Sequence, residues 1–226
     1  MKKQSGLIVF IIALSANIIS IQANNEWLQY ISKPLIVPAL IFYFLCLVAP
    51  KNYFSGKWIM VGLSFSWIGD VLLMFVAKNE IFFLLGLGSF LLAHIFYILF
   101  FQRVRAAENV KMRPVLVLIV AVYYAGLIGW LYSYLGAMRL PVLVYGLVIS
   151  TMFLLAMHML FIKDRIAGKW MMMGALFFVI SDSTLAINKF YQPFEAAGIL
   201  IMLTYGLAQL FIVKGAAGYV NSANKG

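Results

Sequence analysis

One continuous apolar stretch decides the class of this protein. It reads Ile81-Phe-Phe-Leu-Leu-Gly-Leu-Gly-Ser-Phe-Leu-Leu-Ala-His-Ile-Phe-Tyr-Ile-Leu-Phe-Phe101 and contains no Asp, Glu, Lys or Arg. About 20 such residues suffice for an α-helix to cross the hydrocarbon core of a bilayer. Further apolar runs lie on both sides of it, 65% of the 226 residues are hydrophobic, and the mean hydropathy is +1.00. A water-soluble domain of this size is far more polar, so the sequence predicts an integral membrane protein.

The apolar runs predict an all-α, polytopic membrane protein with eight transmembrane helices, which form a single transmembrane domain over residues 1–226. The predicted helices comprise residues 5–21, 35–49, 58–76, 81–101, 114–135, 140–162, 170–187 and 195–213. The second run is short and contains Pro38, so we expect its helix to begin near Pro34 or to be kinked.

The basic residues are shared unequally between the two sides of the membrane. Of the 17 Lys and Arg residues, only Lys33, Lys78, Arg139 and Lys189 fall on the side opposite both termini. Basic residues in short loops concentrate in the cytoplasm, which predicts a cell-membrane protein with both termini cytoplasmic. The net charge of +10 is dispersed and forms no single basic stripe, so no nucleic-acid partner is predicted.

Two aspartates lie inside apolar runs with similar surroundings. The runs read Gly62-Leu-Ser-Phe-Ser-Trp-Ile-Gly-Asp70-Val-Leu-Leu and Gly174-Ala-Leu-Phe-Phe-Val-Ile-Ser-Asp182-Ser-Thr-Leu. An Asp at the centre of a spanning helix costs roughly 2.5–3.5 kcal/mol on insertion scales. Each acid could merely bond a neighbouring hydroxyl and hold helices together, but Asn, Ser or Thr would do so at a lower desolvation cost. Two acids at equivalent points therefore favour a functional role.

A shift of the chain by 112 residues relates the surroundings of the two aspartates. The superposed pairs are Gly62 and Gly174, Asp70 and Asp182, and Gly86 and Gly198. Because a shift by four helices preserves direction, this predicts a parallel repeat with halves 1–101 and 114–213. Equivalent faces of the two halves would turn toward a common centre, where the acids could share one cavity.

Further polar side chains lie at similar or greater depth in the predicted helices. Those predicted to line the mouth of the cavity are Lys33, at the start of the second helix, Tyr145 and Asn188. Those predicted to form its floor are His94, Tyr97, Tyr205 and Gln209, in two pairs one helical turn apart. His94 could equally be a hydrogen-bonded helix contact. For Lys33 we expect binding of a lipid phosphate, with snorkelling to the interface as the alternative.

The chain carries no signature of a metal or cofactor site. Two distant histidines and a single cysteine, Cys46, give no metal-ligand spacing. There is also no GxSxG serine elbow and no glycine-rich phosphate loop. The two aspartates would therefore carry any catalysis. A proton-coupled carrier of lipids or small molecules that uses the same acids is the alternative function.

Five blocks of the chain are similar to a known family. They read Lys33-Pro-Leu, Ile68-Gly-Asp70-Val-Leu-Leu, Phe90-Leu-Leu-Ala-His94-Ile-Phe-Tyr97, Ile180-Ser-Asp182-Ser-Thr-Leu-Ala-Ile-Asn188-Lys-Phe and Thr204-Tyr-Gly-Leu-Ala-Gln209. Together they resemble the YhhN-type lysoplasmalogenase family. The resemblance implies an eight-helix membrane enzyme that hydrolyses the vinyl ether bond of lysoplasmalogens to a fatty aldehyde and a glycerophospho-ethanolamine or glycerophospho-choline. The implied partners are a lysophospholipid-type substrate and the lipid bilayer.

The chemistry that this resemblance implies suits two buried acids. Cleavage of a vinyl ether begins with proton transfer to carbon, and the resulting oxocarbenium ion needs nearby negative charge and then a water molecule. Burial disfavours the ionised form of a carboxyl group, so one acid of a close pair could keep its proton while the other is ionised. Glycosidases divide the work between paired carboxylates in a similar way. Either Asp70 or Asp182 could be the proton donor.

Overall fold

All regular secondary structure in the computed structural model, which describes residues 2–223, is helical. The eight α-helices are α1 (Lys2–Gln22), α2 (Glu26–Leu47), α3 (Tyr53–Leu73), α4 (Ile81–Ala107), α5 (Pro114–Leu131), α6 (Arg139–His158), α7 (Arg165–Ala186) and α8 (Ala197–Ala223). Short 3-10 turns comprise Pro50–Asn52, Tyr132–Tyr134, Gly136–Met138 and Met159–Phe161, and a π-helical turn, Ile187–Tyr191, prolongs α7. The predicted all-α architecture with eight helices is confirmed.

Seven of the helices, all except α3, are long and apolar enough to cross a membrane. The exception, α3, carries Lys57 near its start and Asp70 near its end, and both side chains reduce its apolar character. It packs against α2, α4 and α8. The protein is a multi-pass membrane protein, and the cytoplasmic location of its termini stays a prediction.

The start of α2 differs from the expected one. Asn25 accepts a hydrogen bond from the backbone N–H of Leu28 at 3.0 Å and caps the helix, which therefore begins at Glu26. Pro34 lies inside α2, so the expectation that the helix begins there is wrong. Lys33 consequently lies about two turns inside α2 and not at its start.

The other long helices also extend beyond their apolar runs. Asp164 caps α7 by accepting a hydrogen bond from the N–H of Ala167 at 3.0 Å, so α7 begins at Arg165 instead of residue 170. Small residues prolong α8 past residue 213, because Gly215 brings its backbone against Ala167 and Met171 of α7. Helix ends here follow capping and packing, whereas hydropathy reports only the part in the hydrocarbon.

The helices that carry the aspartates pack closely against their successors, α3 against α4 and α7 against α8. A Cβ at Gly62 of α3 would meet the ring of Tyr97 at 2.5 Å. A Cβ at Gly174 of α7 would meet the backbone N of Ile212 at 2.7 Å. Both glycines thus permit a close helix contact. They are one of the pairs that the 112-residue shift superposes, and the repeat itself stays a prediction.

One helix, α5, lies at the periphery of the bundle. Only Val120, Ile128 and Leu131 of α5 are buried. The last two form a small apolar cluster with Leu135 and Val142, separate from the main core. Much of α5 therefore presents apolar side chains outward, as expected for a surface that faces lipid.

Candidate active site

A cavity of about 300 Å³ lies at the end of the bundle opposite the two chain termini. Both Asp70 and Asp182 line it. Its other polar wall residues are Lys33, Tyr145, Asn188, Lys189 and Tyr205. Most of the remaining wall is apolar and includes Leu87 and Met202. The structure thus brings six of the nine site residues proposed from the sequence to one cavity, which we call the outward cavity after the side on which the predicted topology would place it.

Asp70 has one hydrogen-bond donor in an apolar setting. Its residue is only 2% exposed, and Tyr205 of α8 donates its hydroxyl hydrogen to Oδ2 at 2.6 Å. The ring of Phe90 packs edge-on against the ring of Tyr205 with centroids 5.8 Å apart. Phe90 also lies directly against Gly69, where a Cβ would meet its ring at 2.7 Å. Asp70 is therefore held between an aromatic wall and a single phenol.

Asp182 has two potential donors. Tyr145 of α6 donates its hydroxyl hydrogen to Oδ2 in a short hydrogen bond. Nε2 of His94, from α4, lies 3.3 Å from the same Oδ2 and 3.1 Å from the hydroxyl oxygen of Tyr145. The hydrogen of Tyr145 already points to the carboxylate, so Nε2 of His94 must carry a proton to approach two oxygens. Asp182 is also the more accessible acid, with a side chain that is 14% exposed.

Below the cavity lies a layer of tightly packed side chains that we call the floor. It consists of His94, Tyr97, Phe178, Tyr205 and Gln209, all of them buried. The hydroxyl of Tyr97 donates to Oε1 of Gln209 at 2.7 Å. Phe178 packs edge-on against His94 and Tyr205, with ring centroids 4.7 Å and 5.6 Å apart. His94, Tyr97 and Gln209 thus lie beneath the outward cavity and do not line it.

The outward cavity contains two lysines, Lys33 and Lys189, and we call this cationic part of the cavity its rim. Lys33 is half-buried and forms no ion pair within the part of the chain that the structure describes. Lys189 lies on the π-helical turn, with Nζ 4.0 Å from Glu80 and 5.2 Å from the ring centre of Phe83. Asn188 accepts a hydrogen bond from the N–H of Phe194 at 3.1 Å, which fixes the turn after α7. Of the two lysines, Lys33 is therefore the one with no carboxylate oxygen within 4.0 Å among the described residues.

Two residues of the site were not proposed from the sequence. Lys189 was not among the proposed site residues, yet it lines the outward cavity. Its position directly after Asn188 was the available signal. Phe178 of the floor lies in the run Phe177-Phe-Val-Ile180, where nothing distinguishes it from lipid-facing neighbours.

Comparison with known proteins places the chain in a family. The sequence model of the YhhN family matches residues 28–216, which is most of the chain. The chain belongs to the YhhN family. The family proposed from its sequence blocks is therefore confirmed. No solved structure gives a significant match to this YhhN protein.

Several relatives of this YhhN protein have names that state an activity. A lysoplasmalogenase of Mycobacterium bovis is 32% identical over 162 residues, which cover 70% of the chain and 60% of the relative. Lysoplasmalogenase TMEM86A of Homo sapiens is 36% identical over 174 residues, covering 72% of the chain and 66% of the relative. Lysoplasmalogenase TMEM86B of Mus musculus is 30% identical over 196 residues, covering 84% and 76%. The chain thus spans about 60% of the length of the mycobacterial relative.

Proposed function

We propose that this protein is a lysoplasmalogenase, which hydrolyses the vinyl ether bond of a lysoplasmalogen to a fatty aldehyde and a glycerophospho head group. The observation that carries the proposal is the pair of carboxyl groups, Asp70 and Asp182, on one cavity within a membrane bundle. The names of relatives that are at least 30% identical support the same activity. From the charges of the loops we place the enzyme in the cell membrane, with this cavity facing outward.

The lysophospholipid-type substrate would bind with its phosphate at the rim and its vinyl ether between the two acids. Lys33 offers a cation to the phosphate, and Lys189 and Asn188 lie on the same wall. The glycerol backbone spans only a few bonds between the phosphate and the ether oxygen. A single site can therefore hold the phosphate at Lys33 and present the double bond to the carboxyl groups.

The unequal surroundings of the two acids support an assignment of roles, in which Asp70 donates the proton and Asp182 is ionised. Asp182 has two donors, Tyr145 and His94, and hydrogen bonds to a carboxylate stabilise its charged form. Asp70 has one donor and is almost completely buried, which favours the neutral acid. A phosphate bound at Lys33 would also neutralise the cation on the same cavity, so that substrate binding itself favours the proton on Asp70.

Each proton can be followed through the proposed reaction. Asp70 transfers its proton to the second carbon of the vinyl ether, and the first carbon becomes an oxocarbenium ion stabilised by Asp182. Water adds to this carbon and loses a proton to Asp182, which yields a hemiacetal. The protonated Asp182 then gives its proton to the departing glycerol oxygen, while Asp70 takes the proton of the hemiacetal hydroxyl. The carbon–oxygen bond breaks, the aldehyde forms, and both acids return to their starting states.

Tyr145 and His94 are positioning residues in this scheme. Both contact Oδ2 of Asp182, which leaves Oδ1 available to the water molecule and the cation. His94 acts as a donor through Nε2, and its Nδ1 has no hydrogen-bond partner among residues 2–223.

The decisive experiment measures aldehyde release by purified protein in detergent. The substrates are a lysoplasmalogen and, as a control, the ester lysophospholipid with the same head group. We expect aldehyde from the lysoplasmalogen with the wild-type protein, and release that is at least about 100-fold slower with Asp70→Asn or Asp182→Asn. Absence of aldehyde from folded wild-type protein would refute the activity, and full activity in either variant would refute the two-acid mechanism. A carrier would form no product in detergent, because transport needs two compartments.

A further inference from the structure

A second, smaller cavity reaches Asp182 from the side of the bundle. It has a volume of about 40 Å³ and lies between α5, α6 and α7. Its walls are mainly apolar, with Leu127, Ile128, Val142 and Ile149 among them. We call it the lateral crevice. Of its lining residues, Asp182 and Tyr145 also line the outward cavity, so the two cavities meet at the more accessible acid.

The lateral crevice borders the lipid-facing surface of the bundle. Tyr123, Tyr124 and Leu127, which line it, are only half-buried. Two hydrogen bonds tie α5 to its neighbours on either side of the crevice. Tyr123 shares one with Ser183 of α7 at 2.7 Å, and Tyr124 donates to the carbonyl of Leu143 of α6 at 3.2 Å. The crevice thus lies between hydrogen-bonded helices, and its half-buried lining on α5 puts it at the surface that we expect to face lipid.

The reacting bond of a vinyl ether lies at the junction between the head group and the tail. Its two carbons are the first two of the tail, and its oxygen belongs to the glycerol. When these atoms lie at the carboxyl groups, the phosphate must point to the rim and the tail must leave in another direction. The floor blocks the direction along the bundle axis, since His94, Tyr97 and Phe178 are completely buried. The lateral crevice begins at Asp182 itself and is apolar.

We propose that the lateral crevice receives the alkenyl tail of the substrate and releases the fatty aldehyde into the bilayer, while the outward cavity admits water and releases the glycerophospho head group. This inference rests on the proposed function. The narrow crevice suits one unbranched chain, most of which would extend into the lipid. It also matches the solubilities of the products, because a long-chain aldehyde prefers hydrocarbon and a glycerophosphodiester prefers water.

The path of the tail can be tested without hydrolysis. The probe is a lysophospholipid with a saturated ether bond, which cannot be cleaved, and a photoreactive diazirine a few carbons from the ether oxygen. We expect it to label Leu127, Ile128 or Gly146 of the lateral crevice after irradiation of the wild-type protein. Labelling confined to Leu87 and Met202 of the outward cavity would overturn the inference, as would an absence of label from folded protein.

A substitution that fills the crevice provides a second test. A Cβ at Gly146 would meet the ring of Tyr124 at 3.1 Å and Ile128 at 3.4 Å, so the side chain in Gly146→Leu would occupy the crevice. We expect kcat/KM for a long-tailed lysoplasmalogen to fall about tenfold more than for a short-tailed one, whose tail ends at the reacting double bond and so does not enter the crevice, the scale of a steric clash in a packed site. The matched control is Gly126→Leu, because no atom lies within 4 Å of a Cβ at Gly126 on α5. This control should leave the ratio of kcat/KM for the long-tailed and the short-tailed substrate unchanged.

These outcomes distinguish a failure of the crevice proposal from a failure of the proposed activity. Equal losses for both tails, or none, in folded Gly146→Leu protein would refute the crevice as the path of the tail. Gly146→Ala provides the smaller step if the leucine variant does not fold, and its loss should also be larger for the long tail. If wild-type protein releases aldehyde but Gly146→Leu lowers kcat/KM equally for the long-tailed and the short-tailed substrate, only the crevice proposal is refuted. If the probe labels the crevice but wild-type protein releases no aldehyde, only the activity is refuted.

Discussion

The two aspartates have similar neighbours in the sequence but different neighbours in space. Asp70 receives one hydrogen bond, from Tyr205, whereas Asp182 is contacted by both Tyr145 and His94. Asp70 is also the more deeply buried of the two. Each acid is approached by a side chain from the other half of the chain, Tyr205 of α8 for Asp70 and His94 of α4 for Asp182. The helices thus place the acids alike, but residues on other helices set their chemistry.

Positions that lie 112 residues apart carry different side chains around Asp70 and around Asp182. Lys33 and Tyr145 stand at this offset from each other, as do Asp70 and Asp182, and all four line the outward cavity. One half of the chain therefore offers a cation at the position where the other offers a phenol. The same offset relates His94 to Gly206, which has no side chain to contact Asp70. In the proposed mechanism, these two differences between offset-related positions distinguish the proton donor, Asp70, from the carboxylate, Asp182.

The largest expected effect concerns the acids as a unit. Asp70→Asn and Asp182→Asn should each lower kcat roughly 10²- to 10⁴-fold, the usual contribution of acid–base catalysis. The double variant should be no slower than the worse single variant, because either loss alone disables the shared reaction. Single-turnover aldehyde formation measures all three rates, and gel filtration verifies folding. If the effects of the two substitutions multiply, the acids work independently.

Removing the hydroxyl of Tyr145 should lower kcat more than removing the hydroxyl of Tyr205. Tyr145→Phe removes a donor from the ionised Asp182 and should lower kcat about tenfold or more, since a hydrogen bond to a charged group contributes about 1.5–3 kcal/mol. Tyr205→Phe removes a donor from Asp70, which needs its proton, and should have a clearly smaller effect. Steady-state kinetics on lysoplasmalogen decide between them. The reverse order would exchange the roles of Asp70 and Asp182.

The lysines of the rim should affect substrate binding to different extents. Lys33→Gln should raise KM about tenfold with little change in kcat, because it removes a charged donor to the phosphate. Lys189→Gln should raise KM only a few-fold at most, since an exposed cation beside Glu80 contributes about 1 kcal/mol or less. Both KM values are measured in the same detergent. Equal effects of the two substitutions would place the phosphate between the lysines instead of at Lys33.

The smallest expected effects concern the glycines of the two helix pairs. Gly174→Ala would press a methyl group onto the backbone of α8, which cannot yield, and should destabilise the protein by about 1–3 kcal/mol. Gly62→Ala meets the buried ring of Tyr97, and because a side chain yields more easily than a backbone, its cost should be lower than that of Gly174→Ala. Gly88→Ala faces open space and is the control. Thermal unfolding in detergent should therefore rank the melting temperatures as Gly88→Ala, Gly62→Ala and Gly174→Ala, from highest to lowest.

The membrane class, the number of helices and the positions of the two acids were predictable, because each depends on the apolar character of the chain. The ends of the helices were not, because Asn25 and Asp164 cap α2 and α7 outside the apolar runs. Lys33 was consequently assigned to the start of a helix that in fact begins about two turns earlier.

The sequence also did not reveal which side chains contact the two acids. Tyr145 and His94 are 51 residues apart in the chain and meet only because α4 packs against α6. The sequence pattern placed Tyr145 at the mouth and His94 in the floor, but it contained no sign that they share Asp182. Helix crossings decide such pairings, and hydropathy does not encode them.

The floor limits how far protons can move across the membrane through this protein. A cavity that admits water and holds two carboxyl groups brings proton carriers part of the way across the bilayer. Beneath it, the completely buried rings of Tyr97 and Phe178 interrupt any file of water molecules that could conduct protons farther. In the proposed enzyme, the two acids could therefore exchange protons with water without opening a path for protons across the membrane. A carrier would have to separate this same layer of side chains in every cycle.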